Sequence, residues 1–172
     1  MKEIIINEYK LTDQELDDRV VRVKGLMINS KGMILLAHNN NTYQFPGGHL
    51  EEFESRDVCI KREIKEETGI DVEILEEPFL VITTYDNNYF DSGRKVKNSI
   101  YYYRFFTDAV PNFNETHYDE LELASDFNLF YIPIKTLDVF LKKSINDGSI
   151  NSNIGREMLL AYDEYMKKFG GI

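Results

Sequence analysis

The sequence predicts an α+β domain, and three observations carry that expectation. Two pairs of β-rich runs occur along the chain, a charged helical stretch lies between the pairs, and apolar residues of the C-terminal segment recur every three to four positions. The 172 residues are 42% hydrophobic and 13% aromatic, enough apolar material to offset the chain entropy lost on folding, so disorder throughout is excluded. No repeat, low-complexity tract or Pro/Gly/Ser linker divides the chain, and residues 1–172 are expected to form a single domain.

Residues 19–29 place Val21, Val23, Leu26 and Ile28 in a β-like pattern, and Ser30-Lys31-Gly32 reads as a turn into a second run at 33–37. This is a first hairpin. After the Phe45-Pro46-Gly47-Gly48 turn, residues 55–68 carry Cys59, Ile60 and Ile64 on one stripe. Gly69 stands where a helix C-cap belongs, so the segment reads as an amphipathic helix. Residues 79–85 and 99–106 form a second, longer hairpin around a polar connection with Arg94, Lys95 and Lys97, which read as a solvated loop tip. Residues 108–126 hold six acids and no Lys or Arg, with Pro111, Asn112 and Asn114, and predict a mobile acidic loop. A strand at 128–132 and a helix over 136–143 follow. The stripe Ile154, Met158, Tyr162, Tyr165 and Phe169 predicts a terminal helix packed on the core.

Composition limits the partners. Twenty Lys plus Arg against thirty Asp plus Glu give a net charge of −10, which opposes adhesion to nucleic acid or anionic lipid. A polyanionic substrate must then be held by a metal or by local basic residues. No apolar run approaches the ~20 residues that cross a bilayer, the N-terminus lacks a signal-peptide core, and one cysteine excludes an intramolecular disulfide. A cytoplasmic protein without a membrane or stable nucleic-acid partner is expected. The Ile4-Ile5-Ile6 start offers an edge strand through which a homodimer would form.

The chemistry concentrates between Gly48 and Ile70, in GHLEEFESRDVCIKREIKEETGI. On a helix Glu63 stands at i,i+3 from Glu66 and i,i+4 from Glu67, so three carboxylates share one face and repel one another unless a cation neutralises them. Oxygen-only ligands suit a hard ion such as Mg²⁺ or Mn²⁺. With Cys59, Ile60 and Ile64 anchoring the opposite stripe, the acids are expected to face outward into a cleft. The glycines just before let the backbone approach the same ion, where a main-chain carbonyl would complete the coordination shell.

This stretch resembles the signature of the Nudix hydrolases, G-x5-E-x7-R-E-U-x-E-E-x-G-U with U a bulky aliphatic residue. Gly48, Glu54, Arg62, Glu63, Ile64, Glu66, Glu67, Gly69 and Ile70 meet every fixed position. Seven identities at fixed spacing arise by chance with a probability of about 10⁻⁸ when each residue type has a frequency of roughly 7%. The resemblance implies an α/β/α sandwich around a mixed β-sheet. It also implies hydrolysis of the pyrophosphate link in a nucleoside diphosphate joined to another group: a nucleoside triphosphate, dinucleoside polyphosphate or nucleotide sugar. By the same resemblance Glu63, Glu66 and Glu67 bind Mg²⁺ or Mn²⁺ with the Gly47 carbonyl, Arg62 orients the carboxylates, and Glu54 is metal-associated or supporting.

The base that takes the water's proton is in relatives a glutamate of the helix or of a distal loop. Glu120 is the choice here, ahead of Glu122 and Glu115. His38 matches a position where relatives carry a basic substrate contact, and Phe45 beside the glycines is a candidate to stack on a base. Cys59 reads as a small buried side chain and not a nucleophile. Arg56 stands where the family often has leucine, which leaves the helix's first turn more exposed. The rival reading is a nucleotide-sensing Nudix-fold module without turnover, whose mark would be loss of motif glutamates, and none is lost.

Overall fold

The computed structural model describes residues 1–39, 42–118 and 126–170. Seven strands form one mixed sheet: β1 (Lys2–Ile6), β2 (Asp18–Ile28), β3 (Met33–Asn39), β4 (Thr42–Gln44), β5 (Leu80–Asp86), β6 (Val96–Phe106) and β7 (Asn128–Pro133). Their order is β1-β5-β6-β2-β3-β4, with β7 paired to β3. Parallel pairing of β1 with β5 and of β2 with β6 coexists with antiparallel pairing of β5 with β6 and of β3 with β4 and β7. This is the expected α+β class.

Helix α1 (Arg56–Thr68) covers one face, while α2 (Leu137–Asp147) and α3 (Ser152–Phe169) cover the other. Strand alternation sorts the core accordingly. Val23, Met27 and Leu35 meet Cys59, Ile60 and Ile64 of α1, whereas Leu26, Ile34, Leu36, Ile82, Ile100 and Tyr102 meet Leu141, Met158 and Tyr165. The C-terminal stripe packs as its spacing predicts: Met158, Tyr162 and Tyr165 are buried, and Ile154 and Phe169 lie partly buried against the same core.

The first hairpin forms only at its turn. Asn29 N donates to Met33 O at 3.0 Å, but β2 and β3 share a single register pair, Ile28↔Ile34, and then diverge. The segment from Pro46 to Leu50 fills the gap: Gly25 N donates to Pro46 O (2.8 Å), Val23 N to Gly48 O (3.0 Å) and Leu50 N to Val21 O (3.0 Å). This splay brings Gly47 and Gly48 to the centre of β2. Ile4–Ile6 form an edge strand as expected, whose described partner is β5 of the same chain. The part of the acidic loop up to residue 118 is tied down, because Asn112 N and His117 N donate to the Thr68 and Glu66 carbonyls at the end of α1. No helix among the described residues is long and apolar enough to cross a membrane.

Candidate active site

Helix α1 begins where the Ser55 side chain accepts from Val58 N (3.2 Å) and ends at Gly69 in the left-handed conformation, φ 70°. Its apolar stripe is fully buried, which fixes the direction of the polar face. Arg62 organises that face. Its Nε and Nη2 each donate at 2.9 Å to one oxygen of Glu54, and Nη1 donates to Glu63 Oε1 (2.9 Å) and Glu66 Oε2 (3.0 Å). The fork on Glu54 is the largest cause raising the guanidinium pKa above its ordinary value, and the same contact holds the Glu54 carboxyl below its own. Burial raises the Glu63 carboxyl, against the opposing pull of Arg62 and Lys24.

The glycines determine how close the backbone comes. A Cβ on Gly48 would lie 2.4 Å from Glu63 Oε2, so the carboxylate fills the space a side chain would take. A Cβ on Gly47 would lie 2.2 Å from Val23 O, and its φ of +131° is one that other residues rarely adopt. Gly47 N donates to Glu67 Oε2 at 3.0 Å.

The structure corrects one expectation and adds a partner to a second candidate group. Glu67 does not face outward but is 3% exposed, because it serves the Gly47 amide inside the fold. The Gly47 carbonyl, expected to ligate a metal, accepts from Lys24 Nζ, which also donates to Gln44 Oε1 at 3.1 Å. Lys24 is 8% exposed; burial lowers its pKa and Glu67 opposes that shift. The sequence reading missed it, although a lysine inside an otherwise apolar strand run was the available signal.

The donor set suits a hard divalent cation in chemistry: the carboxylates of Glu63, Glu66 and Glu67 and one carbonyl lie around the glycine turn, all oxygen. Among the described residues, however, no three acidic, His or Cys side chains converge closely enough to hold an ion. Arg62 and Lys24 occupy part of the oxygen surface, so the repulsion read from the sequence is met first by the protein's own cations. The chain's own oxygens fit the group; Glu63 and Glu66 are turned towards Arg62, Glu67 towards the Gly47 amide and the Gly47 carbonyl towards Lys24.

The remaining expectations divide. Phe45 is not available to stack on a base: at 1% exposure its ring packs edge-to-face with Tyr102 in the core. His38 shares the strand parity of Ile34 and Leu36, so it faces away from α1 and packs against Tyr43 and Phe130, with ring centroids 4.7 and 6.0 Å away. Neither meets the motif face. Glu120 and Glu122 lie outside the described residues, and Glu115 is ion-paired with Lys65. Cys59 is fully buried, and desolvation pushes its thiol up to about 12. Arg94, Lys95 and Lys97 pair with Asp18, Glu15 and Asp13, as a solvated loop tip would. Arg56 lies over the Tyr101 ring at 4.2 Å, and Arg56, Asp57 and Val58 are all exposed, so the first turn is open as expected.

A second basic residue missed by the sequence reading is Arg22. Its Nε donates to His49 Nε2 and its Nη2 to the Tyr89 hydroxyl, both at 2.9 Å. Burial, with Arg22 and Lys24 nearby, lowers the His49 pKa to about 4, so the ring is neutral at pH 7 and accepts.

A family model described as the NUDIX domain matches residues 18–147. Among solved structures, the MutT protein from Methanosarcina mazei Go1 resembles this chain at 16% identity and TM-score 0.57, over 87% of this chain and 96% of that one. The MutT NUDIX hydrolase from Burkholderia pseudomallei does so at 20% identity and TM-score 0.50, over 68% and 84% respectively. At these identities the likeness is one of fold. The family match spans well over half of the chain, including every position of the signature, and the protein belongs to the Nudix hydrolase family as an enzyme of the pyrophosphohydrolase type.

Proposed function

We propose that the chain hydrolyses the pyrophosphate linkage of a nucleoside diphosphate joined to another group, in a reaction dependent on Mg²⁺ or Mn²⁺. Nucleoside triphosphates, dinucleoside polyphosphates and nucleotide sugars form the substrate class. The observation that carries this reading is the apposition of Glu63 and Glu67 to the Gly47–Gly48 backbone, with Arg62 joining Glu54, Glu63 and Glu66 into one unit. Glu63, Glu66, Glu67 and the Gly47 carbonyl would hold the cation. A bound Mg²⁺ or Mn²⁺ supplies neutralisation of the diphosphate and a lowered pKa for the attacking water.

The chain's own residues do the positioning. Arg62 keeps the Glu63 and Glu66 carboxylates oriented, and Glu54 holds the guanidinium from behind. Gly48 leaves room for Glu63 beside the backbone. The water's proton is assigned to Glu120 on loop position and carboxylate chemistry. Full activity of Glu120→Gln across pH, with loss in Glu122→Gln, would move that assignment.

A single cysteine that is buried supports a reducing, cytoplasmic setting, and the β1 edge supports a homodimer, which light scattering would measure. The central experiment is a panel of nucleotide diphosphate derivatives with Mg²⁺ or with EDTA, products separated by ion exchange. Mg²⁺-dependent release of a nucleoside monophosphate is expected. Binding of nucleotides without turnover of any panel member would favour the sensing module.

A further inference from the structure

Lys24 is the one charged residue in the buried run of β2 from Val23 to Ile28. A lysine in such a strand ordinarily threads its stem to water, because burying an ammonium is costly unless acceptors and counter-charges surround it. Here Nζ turns inward. It donates to Gln44 Oε1 (3.1 Å) and to the Gly47 carbonyl, and the carboxylates whose fields favour its charge are Glu67 first, then Glu157 and Glu63. Arg22 opposes them.

The backbone on both sides of Lys24 fixes this tether. Val23 N donates to Gly48 O and Gly25 N to Pro46 O, so Lys24 lies directly across from Gly47. A Cβ on Gly47 would come within 3.0 Å of the Lys24 Cα. A cavity of about 580 Å³ lies between the β5–β6 pair and α3, where Arg22, Asn98 and Glu157 help to line it. Lys24 does not line it, and its hydrogen bonds go to Gln44 and the glycine turn.

The Gly47 carbonyl thus already serves an internal cation, and the amide of the same residue donates to Glu67, whose charge Lys24 offsets. These are two of the four oxygen groups proposed above to hold Mg²⁺ or Mn²⁺. A divalent ion at that carbonyl meets a positive charge on the same atom, and repulsion between cations is strong where water is excluded. We propose that Lys24 is a positioning residue that competes with the divalent cation for the Gly47 carbonyl. Its ammonium holds the turn in the metal-free chain and lowers the affinity of the site for the metal. This rests on the reading of Gly47, Glu63, Glu66 and Glu67 as the cation's ligands. A lysine with a structural role alone would act in the opposite sense, since its loss would weaken a site that it helps to build.

The test is binding of Mn²⁺ alone to the full chain, followed by the electron paramagnetic resonance of the free ion, in wild type, Lys24→Met and Lys24→Gln. Methionine keeps an unbranched stem without the charge, and glutamine keeps an N–H for the carbonyl. Lys31→Met, at an exposed lysine, controls for net charge. The first Mn²⁺ is expected to bind about tenfold more tightly to each Lys24 variant than to wild type or to Lys31→Met. In EDTA both Lys24 variants should melt below wild type, and saturating Mn²⁺ should raise their melting temperature more than that of wild type. Unchanged or weaker Mn²⁺ binding in a folded Lys24 variant, or an equal gain in Lys31→Met, overturns the competition. Failure of both Lys24 variants to fold even in saturating Mn²⁺ overturns it too, since the metal would not then stand in for the ammonium. Absence of Mn²⁺ binding from wild type and variants alike overturns the inference, and the hydrolysis panel with Mg²⁺ or EDTA decides the metal-dependent reading separately.

Discussion

The two faces of the sheet treat their polar groups in opposite ways. On the α1 face, Arg62 spans Glu54, Glu63 and Glu66, and Glu67 accepts the Gly47 amide, so carboxylates crowded onto one helix meet partners within the chain. On the α3 face, Asn98 Oδ1 has no partner among the described residues, and Arg22 donates to neutral acceptors, His49 and Tyr89. The contrast teaches that three glutamates on one helix face do not by themselves demand a metal. A cation arriving there joins, and partly displaces, an internal set of ion pairs.

The strongest way to break the comparison is to discharge the α1 face. Glu66→Gln and Glu67→Gln should each cut turnover by about 10²-fold or more while circular dichroism reports an intact fold. Wild-type rates in both variants, with saturating Mg²⁺ and a genuine substrate, would mean that these acids only balance Arg62 and Lys24. Gly48→Ala probes the same face sterically. Its Cβ must push the Glu63 carboxylate aside, and because that is the end of a flexible side chain, stability should change little. Activity should still fall by about 10–100-fold through misplacement of the carboxylate. A rate within twofold of wild type would show that Glu63 need not sit against the turn.

Arg62→Ala removes the internal counter-ion instead. Arg62 is 24% exposed and its partner Glu54 9%, so the loss should destabilise the fold by about 2 kcal/mol, less than for a fully buried pair. Arg62→Lys should recover less than half, since an ammonium cannot make the two-pronged contact with Glu54. If a divalent cation shares this face, Mg²⁺ should raise the melting temperature of Arg62→Ala more than that of the wild type. Equal shifts in both would separate the metal from the Arg62 network.

The same contrast explains what the sequence made legible. Helix α1, its cap residues Ser55 and Gly69, and the acids at 63, 66 and 67 lie within one local stretch whose spacing translates directly into a helix face. Their partners are less visible. Lys24 comes from β2, and its approach to Gly47 depends on β2 and β3 diverging after one pair, a tertiary event that no local pattern records. The cavity is harder still, because Arg22, Asn98 and Glu157 come from three elements with no shared spacing. Phe45 and His38 lie away from the motif face because nearness in sequence to the glycines says nothing about which side of the sheet a strand residue faces.

The smallest effect tests whether the α3 face is uncompensated at all. Glu157 accepts from the Tyr102 hydroxyl, and burial raises its carboxyl above the ordinary value of 4.5, although Tyr102, Lys24 and Arg22 pull it back. A raised carboxyl favours the folded state when protonated. That contribution is fully present below about pH 4.5 and is lost as pH rises through the raised folded-state value. The substitution Glu157→Gln keeps an acceptor for Tyr102 without the buried charge, so the variant should melt higher than wild type at about pH 8, with the gain vanishing near pH 4. Thermal melts of both proteins across that range read the sign directly. A variant that melts lower than wild type at about pH 8 would mean that the attraction of Lys24 and Arg22 outweighs desolvation. The acid in the cavity wall would then be as well matched as those on α1, and the difference between the faces would reduce to Asn98 alone.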